Sequence, residues 1–193
     1  MKIHNPTESI DDAGEALQML KDGNERYIKG EFIQKINYNA DREALISCQK
    51  PFVAILTCSD SRVAPEIIFD QKLGDIFIVR NAGNIASKTA LGSLEYAIEK
   101  LNVKLIVVCG HSRCGAIAAA YEGSKEEYSQ NIQHIIKHLS PAIKKGGDKN
   151  KVIYNNIEIM VEKIKTDEII INKTDVLVAG AYYDIETGIV DWL

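Results

Sequence analysis

Cys58, Asp60, Arg62, His111 and Cys114 are the residues whose types and spacing can do chemistry. They form two short clusters, Cys58-Ser59-Asp60-Ser61-Arg62 and His111-Ser112-Arg113-Cys114. Two thiolates and an imidazole are a zinc ligand set, and three protein ligands leave a fourth tetrahedral position for water or substrate. Asp60 follows the first candidate ligand closely enough to orient a bound water or to become a fourth ligand. Arg62 can pair with Asp60 and hold it ionised. At this level the alternatives stay open: an ordinary strand-end ion pair for Asp60 and Arg62, and structural roles for each Cys or His taken singly.

For the two clusters to meet, the strands that carry them must end side by side. Phe52-Val53-Ala54-Ile55-Leu56-Thr57 is an apolar run ending at Cys58, and Leu105-Ile106-Val107-Val108-Cys109 is another, ending at Gly110-His111. Between them Ile76-Phe77-Ile78-Val79 ends at Arg80-Asn81-Ala82-Gly83-Asn84. Unalternating runs of this kind suit strands buried on both faces of a parallel sheet covered by helices. In such sheets ligands collect beyond the carboxyl ends of the strands. Cys114 lies beside an expected helix start, where the dipole favours thiolate.

The helices that would cover the sheet are read from caps and periodicity. Ser9 can cap a first helix with Asp12 in its first turn; Ala13, Ala16, Leu17 and Leu20 share a face, and Asp22-Gly23-Asn24 stops the pattern. Further helices are expected around Arg42 to Cys48, Ala90 to Lys100, beside Cys114, Gln130 to Lys144 and Ile157 to Lys165, the last two separated by Gly146-Gly147-Asp148. Val176 to Tyr183 reads as a strand, turned by Asp184 to Gly188 into a final strand, Ile189 to Trp192. The fold class is therefore α/β: a mostly parallel central sheet flanked by helices, with an antiparallel C-terminal edge strand and an N-terminal helical arm. No repeat or linker divides the 193 residues, which read as one domain with an arm over 1–50 and an α/β core over 51–193.

Composition narrows the function classes. Hydrophobic residues are 46% and charged residues 26% of the chain, and 23 Lys+Arg against 27 Asp+Glu give a net charge of −4. That balance argues against broad binding to nucleic acid or an anionic membrane, and no apolar run approaches the roughly 18 residues a membrane helix needs. The four cysteines are too sparse for a disulfide framework, which with the lack of an apolar signal core points to the cytoplasm. Cys48 and Cys109 lack a ligand pattern and are read as bystanders, Cys109 in the core. His134 and His138 are read as a half-exposed helical face, and His4 as part of the arm. Gly110-His111-Ser112-Arg113-Cys114-Gly115 lacks the spacing and lysine of a phosphate loop.

Taken together, Cys58-x-Asp60-Ser61-Arg62 and His111-x-x-Cys114 resemble the signature of the β-class carbonic anhydrases. Asn24-Glu25-Arg26-Tyr27, Arg80-Asn81-Ala82-Gly83-Asn84, Ser93-Leu94-Glu95-Tyr96-Ala97 and Gly180-Ala181-Tyr182-Tyr183-Asp184 with Thr187-Gly188 are similar to further blocks of that family, in order and at compatible spacing. The resemblance implies reversible hydration of carbon dioxide to bicarbonate and a proton by a zinc-bound hydroxide. It implies one zinc ion per chain on Cys58, His111 and Cys114, with Asp60 and Arg62 as the catalytic dyad and Asp60 as a possible fourth ligand in a closed state. Gln49 matches a substrate-binding amide, Phe77 and Tyr96 match apolar-pocket positions, and Gly115 follows the second Cys as in the family. Val63 and Ile85 would complete a narrow apolar pocket.

The same resemblance implies a homodimer or homotetramer in which first helices embrace the partner and Gln49, Phe77 and Tyr96 lie near the subunit boundary. Members with a bicarbonate-linked switch carry a Trp where Ile55 stands here, although Arg80 matches the switch's Arg; an open site is therefore expected. Hydration of carbonyl sulfide or carbon disulfide at the same centre, and a non-catalytic zinc-stabilised or anion-binding module, are the alternatives.

Overall fold

Branched apolar side chains dominate the two sheet segments that carry the candidate ligands, and both form central strands. The computed structural model describes residues 8–33, 38–123 and 128–193. Its strands are β1 (Val53–Thr57), β2 (Ile76–Arg80), β3 (Leu105–His111), β4 (Leu177–Tyr183) and β5 (Val190–Trp192). They form one sheet in the order β2-β1-β3-β4-β5. The first four are parallel, and β5 runs antiparallel to β4. Every residue of β1 and β3 is buried.

The helices are α1 (Ala13–Lys29), α2 (Tyr38–Ala44), α3 (Pro65–Ile68), α4 (Lys88–Leu101), α5 (Gly115–Glu122), α6 (Gln130–Lys144) and α7 (Lys149–Lys165), followed by a 3-10 turn at Ile170–Asn172. Side chains alternate across a strand, and the core divides accordingly. Ala54, Leu56, Ile106, Val108 and Val178 pack under α4, α5, α6 and α7. Val53, Ile55, Leu105, Val107 and Ala181 pack with Ala16, Met19 and Leu20 of α1 and Ile68 of α3. From β1 the chain moves outward to β2 and then returns to β3 on the other side of β1. That reversal puts the topological switch point between β1 and β3, where α/β sheets open a crevice for ligands.

Several expectations need correction. The first helix is capped by Asp12, not Ser9: its Oδ1 accepts the Glu15 N–H at 2.6 Å. Nor does it stop at Asp22-Gly23-Asn24; it continues to Lys29 and ends on Gly30 with φ 69°. Gly23 is an approach point rather than a breaker, because a Cβ there would stand 1.8 Å from the Phe69 carbonyl oxygen. Asn24 is buried and stitches α1 to the C-terminal hairpin, donating to the Ile68 and Gly188 carbonyls and accepting from the Val190 N–H. The second helix lies earlier than expected, at Tyr38–Ala44, and α7 begins at Lys149 rather than Ile157. β2 is not buried on both faces: it is an edge strand whose first four residues are half-buried and whose Arg80 is exposed. An apolar run cannot distinguish a central strand from an edge. His4 lies outside the described residues.

Candidate metal centre

β1 delivers Cys58 one residue past its last ladder position, and the following turn is held from β2. The Asn81 N–H donates to the Thr57 carbonyl and the Ser59 N–H to the Asn81 carbonyl, each at 3.2 Å. Arg80 closes the same turn: its Nε donates to the Cys58 carbonyl at 3.1 Å and its Nη2 to the Asp60 carbonyl at 2.8 Å. Asp60 is then clasped by Arg62. The Arg62 N–H and Nε donate to Oδ1 at 3.0 and 2.9 Å, and Nη2 donates to Oδ2 at 2.8 Å. These charge-assisted bonds hold the Asp60 carboxyl well below the usual carboxylate range, the Arg62 side chain contributing most and burial opposing it.

β3 delivers His111 as its last residue, with the side chain fully buried. His111 Nδ1 lies 2.9 Å from the Ser112 carbonyl. That contact assigns the proton to Nδ1 and leaves the Nε2 lone pair free, the tautomer a metal requires. Ser112 is anchored in turn: its N–H donates to the Tyr183 carbonyl, and its hydroxyl donates to Asp184 at 3.0 Å and accepts the Ile185 N–H at 2.9 Å. Arg113 takes the left-handed conformation, φ 57°, and swings the chain into α5, whose N-cap is Cys114.

Cys58, His111 and Cys114 are brought together, one ligand atom from each lying within 4.8 Å of the others. All three are buried. Tetrahedral zinc, with about 2.3 Å to sulfur and about 2.0 Å to nitrogen, puts such atoms roughly 4 Å apart, so the donors stand close to a closed shell. His111 Nε2 is buried without a hydrogen-bond partner. Asp60 Oδ2 is 4.0 Å away, too far for a hydrogen bond. The thiols perturb each other: the hydrogen bond between them draws Cys58 down and, with burial, pushes Cys114 up. Two buried thiols beside an orphaned imidazole nitrogen form a donor set that a divalent borderline-soft cation satisfies. Zinc fits.

The other expected site residues are placed as follows. Ile85 is buried in the same apolar cluster as Cys58 and Cys114. Val63 is buried in the cluster on the opposite face of the sheet, its N–H donating to the Asp60 carbonyl at 3.0 Å. Gly115 is exposed, and a Cβ there would meet nothing within 4 Å. Phe77 and Tyr96 pair with each other, ring centroids 6.3 Å apart. Phe77 lines a cleft of about 350 Å³ between β2 and α4, whose lining includes none of the three ligand candidates. Gln49 is exposed in the segment leading to β1. Residues that the sequence motifs contain but to which no role is assigned there also serve the centre: Ser112 and Asp184 orient His111, and the Gly83 N–H donates to Cys58 Sγ at 3.4 Å.

An α/β sheet with a Cys-His-Cys centre at its switch point defines a class, and comparison with known proteins identifies it. Residues 53–190 match the sequence profile of the carbonic anhydrase family, and the chain belongs to that family. Its solved structural relatives are β-carbonic anhydrases. It superposes on the β-carbonic anhydrase CcaA with TM-score 0.72 at 27% identity, covering 92% of this chain and 98% of that one. It superposes on a tetrameric β-carbonic anhydrase from Sordaria macrospora with TM-score 0.71 at 28% identity, covering 81% and 89%. Carbonic anhydrase 2 of Mycobacterium tuberculosis is 42% identical over 130 residues, 66% of this chain. The match spans 63% of that relative's length.

Proposed function

We propose that this chain catalyses the reversible hydration of carbon dioxide to bicarbonate and a proton, using one zinc ion held by Cys58, His111 and Cys114. The observation that carries this reading is the convergence of three buried donors beside a carboxylate locked by Arg62, with Asp60 Oδ2 4.0 Å from His111 Nε2. When bound, zinc supplies Lewis acidity, lowering the pKa of a coordinated water from 15.7 to about 7 in favourable sites. Asp60, kept ionised, accepts a hydrogen bond from the attacking oxygen and aims its remaining lone pair at carbon. Arg62 holds both oxygens of Asp60, which supports an open resting arrangement in which the carboxylate stays with its arginine. Carbon dioxide is small and apolar, so Ile85 with Phe77 and Tyr96 suffices as walls, and Gly115 leaves room beside Cys114; Val63, packed on the opposite face of the sheet, supports the pocket only by holding the Asp60 turn. The Gln49 amide donates to the substrate oxygen that gains charge.

A second copy of the chain completes that pocket. Tyr96 is 49% exposed, Phe77 is half-buried on an edge strand and Gln49 is exposed. These are the surfaces a homodimer, or a homotetramer built from it, would cover, with residues 51–193 as the catalytic core and α1 of the preceding arm packed against it. The four free thiols favour the reducing cytoplasm as its location. No described helix is long and apolar enough to cross a membrane.

Stopped-flow hydration assays near pH 8.5 on zinc-loaded and zinc-stripped protein test the reading. Loaded protein accelerates the reaction and stripped protein does not; equal rates from both would overturn it.

A further inference from the structure

Three buried side-chain polar atoms among the described residues have no hydrogen-bond partner: His111 Nε2, Asn84 Nδ2 and Asn156 Oδ1. The first belongs to the ligand set. The other two flank Gly83. Asn156, on α7 and 1% exposed, donates Nδ2 to the Gly83 carbonyl at 3.0 Å. Gly83 in turn donates its N–H to Cys58 Sγ at 3.4 Å. Asn84 follows directly, and both residues are left-handed, with φ 80° and 44°. The two hydrogen bonds act on the two peptide units that meet at the Gly83 Cα. Glycine has the freest φ/ψ pair of any residue. Pinning its carbonyl therefore restrains its N–H from swinging off the sulfur. A half-satisfied amide in the core is destabilising, so its presence here argues for a task that an apolar residue would not perform.

We propose that Asn156 is a positioning residue for the metal centre: through Gly83 it keeps an N–H on the Cys58 sulfur, moderating the charge this thiolate gives to the metal. The inference rests on the zinc reading above. Two thiolates donate strongly to a cation, and a hydrogen bond to one of them withdraws part of that charge and leaves the metal the stronger acid. α7, remote in sequence from both ligand clusters, thereby tunes the centre.

The test is cobalt(II) substitution of the wild type and of Asn156→Leu, with the pH–rate profile of the zinc forms measured alongside. Wild type shows the visible bands of tetrahedral cobalt and a sulfur-to-cobalt charge-transfer band. In Asn156→Leu that band moves to longer wavelength, the activity midpoint moves alkaline by roughly half a pH unit, and metal affinity falls about 10-fold. A folded, fully loaded variant with an unmoved band and midpoint overturns the inference and leaves the zinc reading standing, even if its Tm falls. Wild type that takes up no cobalt overturns both. If Asn156→Leu does not fold, cadmium-113 NMR of the wild type decides. A through-bond correlation between the metal and the Gly83 amide proton supports the inference, and an assigned Gly83 amide without it overturns it.

Discussion

Cys58, just past the end of β1, and Cys109, inside the adjoining β3, are both buried cysteines, yet their chemistry is opposite. Thr57 pairs with Cys109 across β1 and β3, so the two cysteines stand one register step apart, 5% and 1% exposed. Cys109 is inside β3 and faces the α1 side, among Val53, Ile55 and Val107. Burial there pushes its thiol up to about 12, so at neutral pH it stays protonated and inert. Cys58 points to the other side, just beyond β1, where the Cys114 thiol, His111 and the Gly83 N–H all lower its pKa against burial. Burial is common to both. What separates them is position relative to the ladder: past the strand end Cys58 meets the Cys114 thiol, His111 and a free N–H, whereas inside the strand Cys109 meets apolar side chains and N–H groups committed to sheet pairing.

The largest expected effect breaks the comparison at its reactive end. Cys58→Ser should take zinc content from one ion per chain to near zero by elemental analysis, and hydration activity to background, because a neutral hydroxyl is a poor substitute for a thiolate ligand. Asp60→Asn comes next. It should leave zinc in place while lowering kcat/KM by about 100-fold, the low end for loss of a positioned proton acceptor. Unchanged turnover in fully loaded Asp60→Asn would remove Asp60 from the reaction.

The contrast between strand ends and strand interiors also explains which parts of this molecule were legible in the sequence. β1 and β3 could be read because their apolar runs end abruptly on Cys58 and His111, and the same residues that end the strands carry the chemistry. α1 reads short in the sequence because Gly23 and Asn24 look like a stop signal. Only the fold reveals that Phe69 needs the missing Cβ and that Asn24 satisfies backbone groups on two other segments. The first half of α7 was hidden for a related reason: Asn155 and Asn156 occupy buried positions, and amides there interrupt the hydrophobic period. The residue we assign to bracing the centre was thus illegible because it is polar. The half-exposure of β2 has no local signature, since an apolar run reads the same on an edge strand as on a central one.

A smaller effect sharpens the electrostatic half of the comparison. Asp60 has a native pKa below its unfolded value of about 4. Its pairing with Arg62 therefore contributes stability above that pH, and the contribution disappears as pH falls through the depressed native value. Carbon-13 NMR should find no Asp60 titration between about pH 4 and pH 8 in the wild type. In Arg62→Ala the carboxylate should titrate back near the ordinary carboxylate range. Arg62 is half-exposed, so solvent screens the pair and little global stability should be lost with it.

The smallest effect probes the inert end. Cys109→Ala removes one sulfur from a site that is 1% exposed and filled by apolar neighbours, so the loss is mainly packing, with one weak thiol contact to the Gly110 carbonyl at 3.6 Å, about 1 kcal/mol in all. For a chain of this size that corresponds to a fall in Tm of roughly 2–4 °C. Zinc content and kcat/KM should stay within twofold of wild type, since the Cys109 side chain faces away from the Cys58 cluster and its thiol is not a candidate ligand. A fall in zinc content would mean that the two faces of the sheet are coupled through the Thr57–Cys109 pairing. In that case the strand interior would be part of the metal centre's support, and the separation between an inert core thiol and a reactive strand-end thiol would be a matter of degree rather than of position.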